Sequence, residues 1–377
     1  MAPTFRRYAG RCPPRGRGLA WGGPARRPLH VKRPGGDFAT QVVKWQKQHG
    51  RNDLPWQNTQ DPYRVWLSEI MLQQTQVVTV RGYFARFLDK FPDVASLAAA
   101  SQDEVMGLWS GLGYYSRARN LHRCAQDVVA LHGGQFPRDA ATLTTLTGIG
   151  RSTASAISSL CFGERVAILD ANVKRVVTRV LGFDADLAQS ANERALWDAA
   201  TTLIPKRSQD MARYTQGMMD LGATVCLPKK PNCAACPVQA SCVARKAGNP
   251  ERFPVRTRKL KRSSQSIWLL WLQREDGAVW LSKRPTPGVW AGLQCFPLFD
   301  SEDALRAALS ARLLRGLEML PVFTHVLTHK DLFLHPARVE VAQEAMDLGA
   351  GEWFSPAQWE AAGLPAPIRK LLVSAGA

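Results

Sequence analysis

The sequence contains no uninterrupted apolar run approaching the ~18–20 residues of a membrane span, so a helical transmembrane protein is excluded. Acidic residues are scarce, 31 Asp+Glu against 49 Lys+Arg, giving a net charge of +18 and a pI near 10. That excess points to a polyanionic partner, nucleic acid or an anionic membrane surface, without choosing between them. No secretory-signal pattern and no internal repeat is evident. Charged residues at 21% and hydrophobic residues at 45% exclude a wholly disordered chain. At ~100–200 residues per domain, 377 residues predict two or three domains, each burying its own core.

The absence of acid is sharpest at the start. Residues 1–36 carry nine basic residues and none acidic, Asp37 being the first. Rich in Pro and Gly and lacking any apolar period, this segment is expected to be a disordered basic tail. It reads as an organellar transit peptide poor in Ser, or as a translation start assigned too far upstream. Nine net positive charges remain on residues 37–377. Over residues 37–247 the apolar residues recur at helical spacing (Trp66, Leu67, Ile70 and Met71, or Val173, Val176, Val177 and Val180), which predicts an all-α region of about ten helices. Residues 248–265 are basic and poor in apolar side chains, the composition of a linker. From 266 to 377 the period changes: the runs 267–272 and 278–281 flank Glu275-Asp276-Gly277 as a hairpin, 293–299 and 332–341 read as strands, and 302–314 reads as helix. A small α+β domain is expected there.

The densest chemical signal is Cys226-x6-Cys233-x2-Cys236-x5-Cys242. Four thiols this close can wrap one metal centre. The single Cys-x-x-Cys favours a [4Fe–4S] cluster over the paired spacing of many zinc sites, with zinc as the alternative. Lys229, Lys230, Arg245 and Lys246 crowd the segment and read equally as phosphate contacts or as a solvated loop. In Leu146-Thr147-Gly148-Ile149-Gly150-Arg151-Ser152, Gly148 and Gly150 frame a turn whose following helix offers free N–H groups, either a simple turn or a grip on a DNA phosphate. Asp170, opening the next apolar helix, reads as an N-cap, as a carboxylate facing a developing sugar cation, or as both. Glu69, inside an apolar helix segment, lies on a solvent face or is buried; if buried, its raised pKa suits it to donate a proton near pH 7.

The segments LPWQNTQDPYRVWLSEIMLQQTQV (54–77), GLGYYSRARNL (111–121), LTGIGRSTASAI (146–157), ILDANVKRV (168–176), the cysteine cluster and SKRPTPGVWAGLQCFP (282–297) together resemble the MutY family of adenine DNA glycosylases, within the helix-hairpin-helix, endonuclease III-like superfamily. The resemblance runs in order over residues 37–377. It implies excision of adenine mispaired with 8-oxoguanine or guanine, after the base is flipped from the duplex. It assigns Glu69 as the acid that protonates adenine N7 and Asp170 as the carboxylate that stabilises or bonds the oxocarbenium-like sugar, a division of labour parallel to glycoside hydrolysis. Asn172 matches a polar residue beside that Asp. Gln73, Gln74 and Tyr114, with Tyr115 as a further candidate, lie in segments that the resemblance implies insert around the lesion pair.

Ser152 occupies the position at which lyase members of the superfamily carry the Lys that forms a Schiff base, so a monofunctional glycosylase is expected. Lys174 lies nearby as an incidental trap for an abasic sugar. The C-terminal region resembles a MutT-like lesion reader without the glycine- and glutamate-rich Nudix box. Its Leu327-Thr328-His329 stands where the family often has Phe-Ser-His, leaving Thr328 and His329 as lesion contacts. Thr147 and Ala171 replace a usual Pro and Gly. The expected architecture is an all-α helix-hairpin-helix glycosylase core with an Fe–S cluster module, followed by a small α+β MutT/Nudix-like domain. The expected partner is double-stranded DNA, bound by a monomer without membrane association, in the cytoplasm at the nucleoid if the source is bacterial. The rival readings are an endonuclease III-like oxidised-pyrimidine glycosylase/AP lyase and a non-catalytic Fe–S DNA-binding protein.

Overall fold

The computed structural model describes residues 38–257, 261–341 and 350–375; the basic tail 1–36 lies outside them. The helices follow as α1 (Phe38–His49), α2 (Pro62–Leu72), α3 (Val77–Lys90), α4 (Val94–Ala99), α5 (Gln102–Trp109), α6 (Ser116–His132), α7 (Ala140–Leu143), α8 (Arg151–Phe162), α9 (Ala171–Leu181), α10 (Ser190–Thr201), α11 (Met211–Thr224) and α12 (Val243–Lys246). None is long and apolar enough to cross a membrane.

Helix starts are encoded locally. Asp61 caps α2 by accepting the Tyr63 N–H at 2.9 Å, with Pro62 at the first helical position, where its missing N–H costs nothing. Asp170 caps α9 by accepting the Val173 N–H at 2.6 Å. The glycine at 148 is required by space as well as conformation: its φ is +79° and a Cβ there would lie 2.8 Å from Asn120 Cβ.

The helices form two lobes. Residues of α2–α8, Trp66, Met71, Phe84, Phe87, Trp109 and Leu121 among them, share one apolar core. Helix α1 packs with α9, α10 and α11 around Val173, Val177, Leu196 and Met218 in a second core. Each such fully buried aliphatic or aromatic side chain contributes ~1.5–3 kcal/mol of transfer free energy, which sets the lobes rigidly enough to hold a cleft between them.

The C-terminal unit contains β1 (Ser263–Arg274), β2 (Val279–Lys283), β3 (Gln294–Cys295), β4 (Leu298–Phe299), α13 (Glu302–Ala307), α14 (Ala311–Arg315), β5 (Glu318–Met319), β6 (Phe323–Val326), β7 (Lys330–Val341), β8 (Glu352–Phe354), α15 (Pro356–Ala361) and α16 (Ala366–Ala375). Strands β1 and β7 run parallel from Ser263↔Lys330 to Arg274↔Val341, while β2 and β4 pair antiparallel with β1, and β5 and β6 with β7. Both faces of β1 are covered. Ile267, Leu269 and Trp271 join the core of the α2–α8 lobe, and Leu270 and Leu272 pack with Leu305 and Leu309. Coverage on both faces explains the nearly continuous apolar run.

Three sequence expectations change. The run 293–299 forms two strand fragments instead of one strand, since Pro297 between them has no N–H to donate. The helical run 302–314 is broken into α13 and α14 by extended backbone at Ser310. Residues 248–257 are not free linker. Phe253 is buried in the second core, Val255 O accepts the Leu187 N–H at 3.1 Å, and Thr257 bonds Asp186. With β1 beginning at Ser263, the connection between the units is residues 258–262, of which 258–260 lie outside the described residues.

Candidate active site

A cleft of about 1180 Å³ opens between the two helical lobes. Glu69 reaches it from α2, Asp170 and Asn172 from the start of α9, Ser152 from α8, and Gln73 and Gln74 from the end of α2. The fold thus brings together six residues drawn from three separate motifs.

Glu69 is half-buried. Withdrawal from water, with the Asp170 charge as a second contribution, raises its pKa to about 7. Asp170 is also half-buried. Burial raises its pKa from the ordinary range, opposed by the Val173 N–H and by the charge of Arg175. One carboxyl is therefore poised to carry a proton at neutral pH, beside another whose ionised form the helix N-terminus and Arg175 favour against the larger effect of burial.

The neighbours are fixed in turn. Ser152 Oγ accepts the Leu169 N–H at 3.2 Å and so anchors the residue before Asp170. Asn172 Oδ1 accepts from Arg175 Nη2 at 2.8 Å, while Arg175 also donates to the carbonyls of Cys226 (2.7 Å) and Gly222 (2.6 Å). Lys174 is not on the cleft wall. Its ammonium is paired with Glu193 instead of standing free as an incidental trap for an abasic sugar. Ala171 is exposed at the first turn of α9, and the Asp170 cap forms normally beside it. Thr147 donates its hydroxyl to Asp127 Oδ2 at 2.6 Å, a bond the usual Pro cannot make.

Outside the cleft, Gly148 and Gly150 are exposed around buried Ile149, with Gly150 at the N-cap of α8. Thr328 and His329 are exposed at the tip between β6 and β7. Arg262 holds that tip by donating to Thr328 O at 2.9 Å, and Leu327 packs partly buried against the core. Tyr114, at φ +48°, stands 42% exposed and shares a 2.5 Å hydrogen bond with Thr328 across the two units. Tyr115 instead donates to Leu364 O at 3.0 Å, so it serves the contact between units.

Cys226, Cys233, Cys236 and Cys242 all line one small cavity beside α9 and α11. Among the described residues no group of three or more His, Cys, Asp or Glu is disposed to hold a single metal ion. Arg179, fully buried, donates to Cys226 Sγ (3.3 Å) and to the carbonyls of Leu227 and Pro228 (2.6 and 2.9 Å), tying the cysteine loop to α9.

Two residues escaped the sequence reading. Gln57 lines the cleft and has a buried amide nitrogen with no partner among the described residues. Arg117 is buried under the cleft rim; its only sequence signal is an Arg on the apolar side of α6, one turn before Leu121.

The chain matches the HhH-GPD superfamily base excision DNA repair protein model over residues 67–201 and the NUDIX domain model over residues 268–374. It is 35% identical over 340 residues to the adenine DNA glycosylase of Buchnera aphidicola subsp. Acyrthosiphon pisum, covering 89% of this chain and 96% of that protein. It is 43% identical over 226 residues to the human adenine DNA glycosylase, covering 57% of this chain and 41% of that one. Among solved structures, a thermostable thymine-DNA glycosylase superposes with a TM-score of 0.48 at 29% identity, over 56% of this chain and 95% of that chain. With a relative this similar along nearly its whole length, the chain belongs to the adenine DNA glycosylase family of base-excision repair hydrolases.

Proposed function

We propose that the substrate is adenine opposite 8-oxoguanine or guanine in double-stranded DNA, and that the enzyme is a monofunctional glycosylase. The observation that carries the chemistry is the pairing of Glu69, with its pKa raised to about 7, and Asp170 in one cleft. Adenine leaves readily only when protonated. Glu69 carries a proton at neutral pH and gives it to N7 of the flipped base, so the base departs neutral. The sugar left behind is cationic at C1′, and Asp170, held as a capping carboxylate, faces that charge until water adds. Asn172 and Ser152 position Asp170 from either side along the chain. Ser152 has no amine with which to form an imine, and Lys174 is engaged by Glu193, which supports hydrolysis without strand cleavage.

Gly148 and Gly150 contact a phosphate in this reading, Gln73, Gln74 and Tyr114 probe the lesion pair, and Thr328 and His329 read the base opposite adenine. The four cysteines fit a [4Fe–4S] cluster: they edge a common cavity, and Arg179 supplies an N–H to Cys226 Sγ as such clusters use. A zinc site would instead need ligands converging at ~2.0–2.3 Å on one ion. When bound, the cluster supplies a cross-link for the 226–242 loop and a one-electron centre.

A duplex bearing adenine opposite 8-oxoguanine, incubated with the protein and split with or without alkali, tests this reading. Adenine release with breaks only after alkali is expected. Breaks without alkali on oxidised pyrimidines would favour a lyase, and binding without base release a sensor.

A further inference from the structure

Arg117 is 9% exposed, yet among the described residues it has no carboxylate partner. A buried guanidinium without a counter-ion is costly unless its donors are satisfied. Here both terminal nitrogens are engaged by two loops at once, while Nε is buried without a partner among the described residues. Nη1 donates to Ile70 O (2.9 Å), Met71 O (3.0 Å) and Gln73 O (2.6 Å), the carbonyls left unpaired at the end of α2. Nη2 donates to Thr75 Oγ1 (3.1 Å) and to Leu112 O and Gly113 O (3.2 Å each). The guanidinium also lies 5.2 Å from the Trp109 ring and 5.5 Å from the Tyr114 ring.

Both loops need such restraint. Gln74 has φ +58°, and Gly111, Gly113 and Tyr114 have φ +99°, +71° and +48°. A left-handed conformation is unfavourable for Gln or Tyr and persists only where surroundings impose it. A planar, forked cation at the C-terminal, negative end of α2 meets four acceptors there, three of them carbonyls, and two carbonyls opposite. Desolvation lowers its pKa to about 10, which still leaves it charged at neutral pH.

We infer that Arg117 is a positioning residue that locks the Gln73–Thr75 loop and the Gly111–Tyr114 loop into mutual register, and that this register drives extrusion of the target adenine rather than cleavage of its bond. The inference rests on the proposal that these loops probe the lesion pair.

The test uses the full-length protein with Arg117→Met and Arg117→Lys. With 2-aminopurine in place of the target adenine opposite 8-oxoguanine, the emission rise on mixing reports extrusion; single-turnover excision of adenine is followed in parallel across pH. Arg117→Met should slow the emission rise at least about tenfold and excision in step with it, with Arg117→Lys, which keeps charge but not the fork, in between. The pH midpoint of excision should stay at the wild-type value, because Glu69 is untouched. Emission and excision within about twofold of wild type in folded variants would overturn the inference. So would a displaced pH midpoint with normal extrusion, which would place Arg117's effect on Glu69. If Arg117→Met fails to fold, Arg117→Lys and Thr75→Val, which removes one of the six contacts, carry the same expectation in milder form. A wild-type protein that leaves adenine in place would refute the functional reading itself, an outcome separate from normal wild-type excision with indifferent variants.

Discussion

The hydroxyls of Tyr114 and Thr328 lie 2.5 Å apart, although 214 residues separate them in the chain. One belongs to the loop before α6 in the helical core and the other to the β6–β7 tip of the C-terminal unit. The contact is one of several, with Arg119 donating to Ala291 O at 2.6 Å and Lys283 paired with Asp103 at 2.6 Å. The residues proposed to read the base opposite adenine and to probe the stack are thus parts of one surface.

This geometry predicts a separation of functions. Thr328→Ala with His329→Ala, both exposed at the tip, should narrow the preference for 8-oxoguanine over guanine by about tenfold while changing excision from the guanine mispair by less than about threefold. Single-turnover rates on the two mispairs check it; an equal loss on both would refute the assignment. Deleting the C-terminal unit is a poorer test, because its strands share the core of the α2–α8 lobe and their removal would expose apolar surface.

A second prediction concerns Asp170. Asn is as good an N-cap as Asp, so Asp170→Asn keeps the start of α9 while removing the negative charge. Excision should fall by at least about 10²–10³-fold, with mispair affinity within about threefold of wild type. Full activity in that variant, measured by single-turnover excision, would remove Asp170 from the chemistry.

Glu69 predicts that rate and stability both fall as pH rises through about 7. Its folded pKa of about 7 lies above the ordinary value of 4.5, so above pH 7 the proton it must donate is lost and excision should decline about tenfold per pH unit. For stability, a raised folded pKa means the neutral form is favoured by folding. That advantage is complete below about pH 4.5 and disappears as pH rises through about 7. Glu69→Gln should therefore match wild type in thermal stability near pH 4.5 and exceed it by ~1–3 kcal/mol at pH 8, while excision is lost. Melting curves at the two pH values decide it; a constant difference would mean Glu69 is not desolvated.

How much of this was readable in the sequence differs by residue. Glu69, Ser152, Asp170 and Asn172 sit in local motifs, and the lobes bring those motifs to one cleft. Asp170 as a helix cap is equally local. Arg117 was invisible because its role lies in carbonyls of residues 70–73 and 112–113, and backbone acceptors have no side-chain signature. Residues 248–257 were misread for a similar reason. Their composition is that of a solvated linker, but the single large apolar side chain of Phe253 docks into the second core and carries the segment with it. The Tyr114–Thr328 contact depends on how the two units pack, which no local pattern encodes.

Ser152 supports the last prediction. Its hydroxyl accepts the Leu169 N–H, and its side chain lies on the cleft wall with Asp170. Replacing it by Lys puts a primary amine beside the carboxylate, on a long stem able to reach C1′ of an abasic sugar. Lys174, the other amine near this motif, is held by Glu193 and is absent from the wall. Wild-type protein mixed with its substrate and borohydride should therefore give little covalent adduct, and strand breaks should need alkali. Ser152→Lys should form a borohydride-trapped protein–DNA adduct and cut the strand by β-elimination without alkali, at some cost in excision rate as the Leu169 N–H loses its acceptor. Strand cleavage by the wild type as fast as its base release would contradict the monofunctional reading, whatever the variant does.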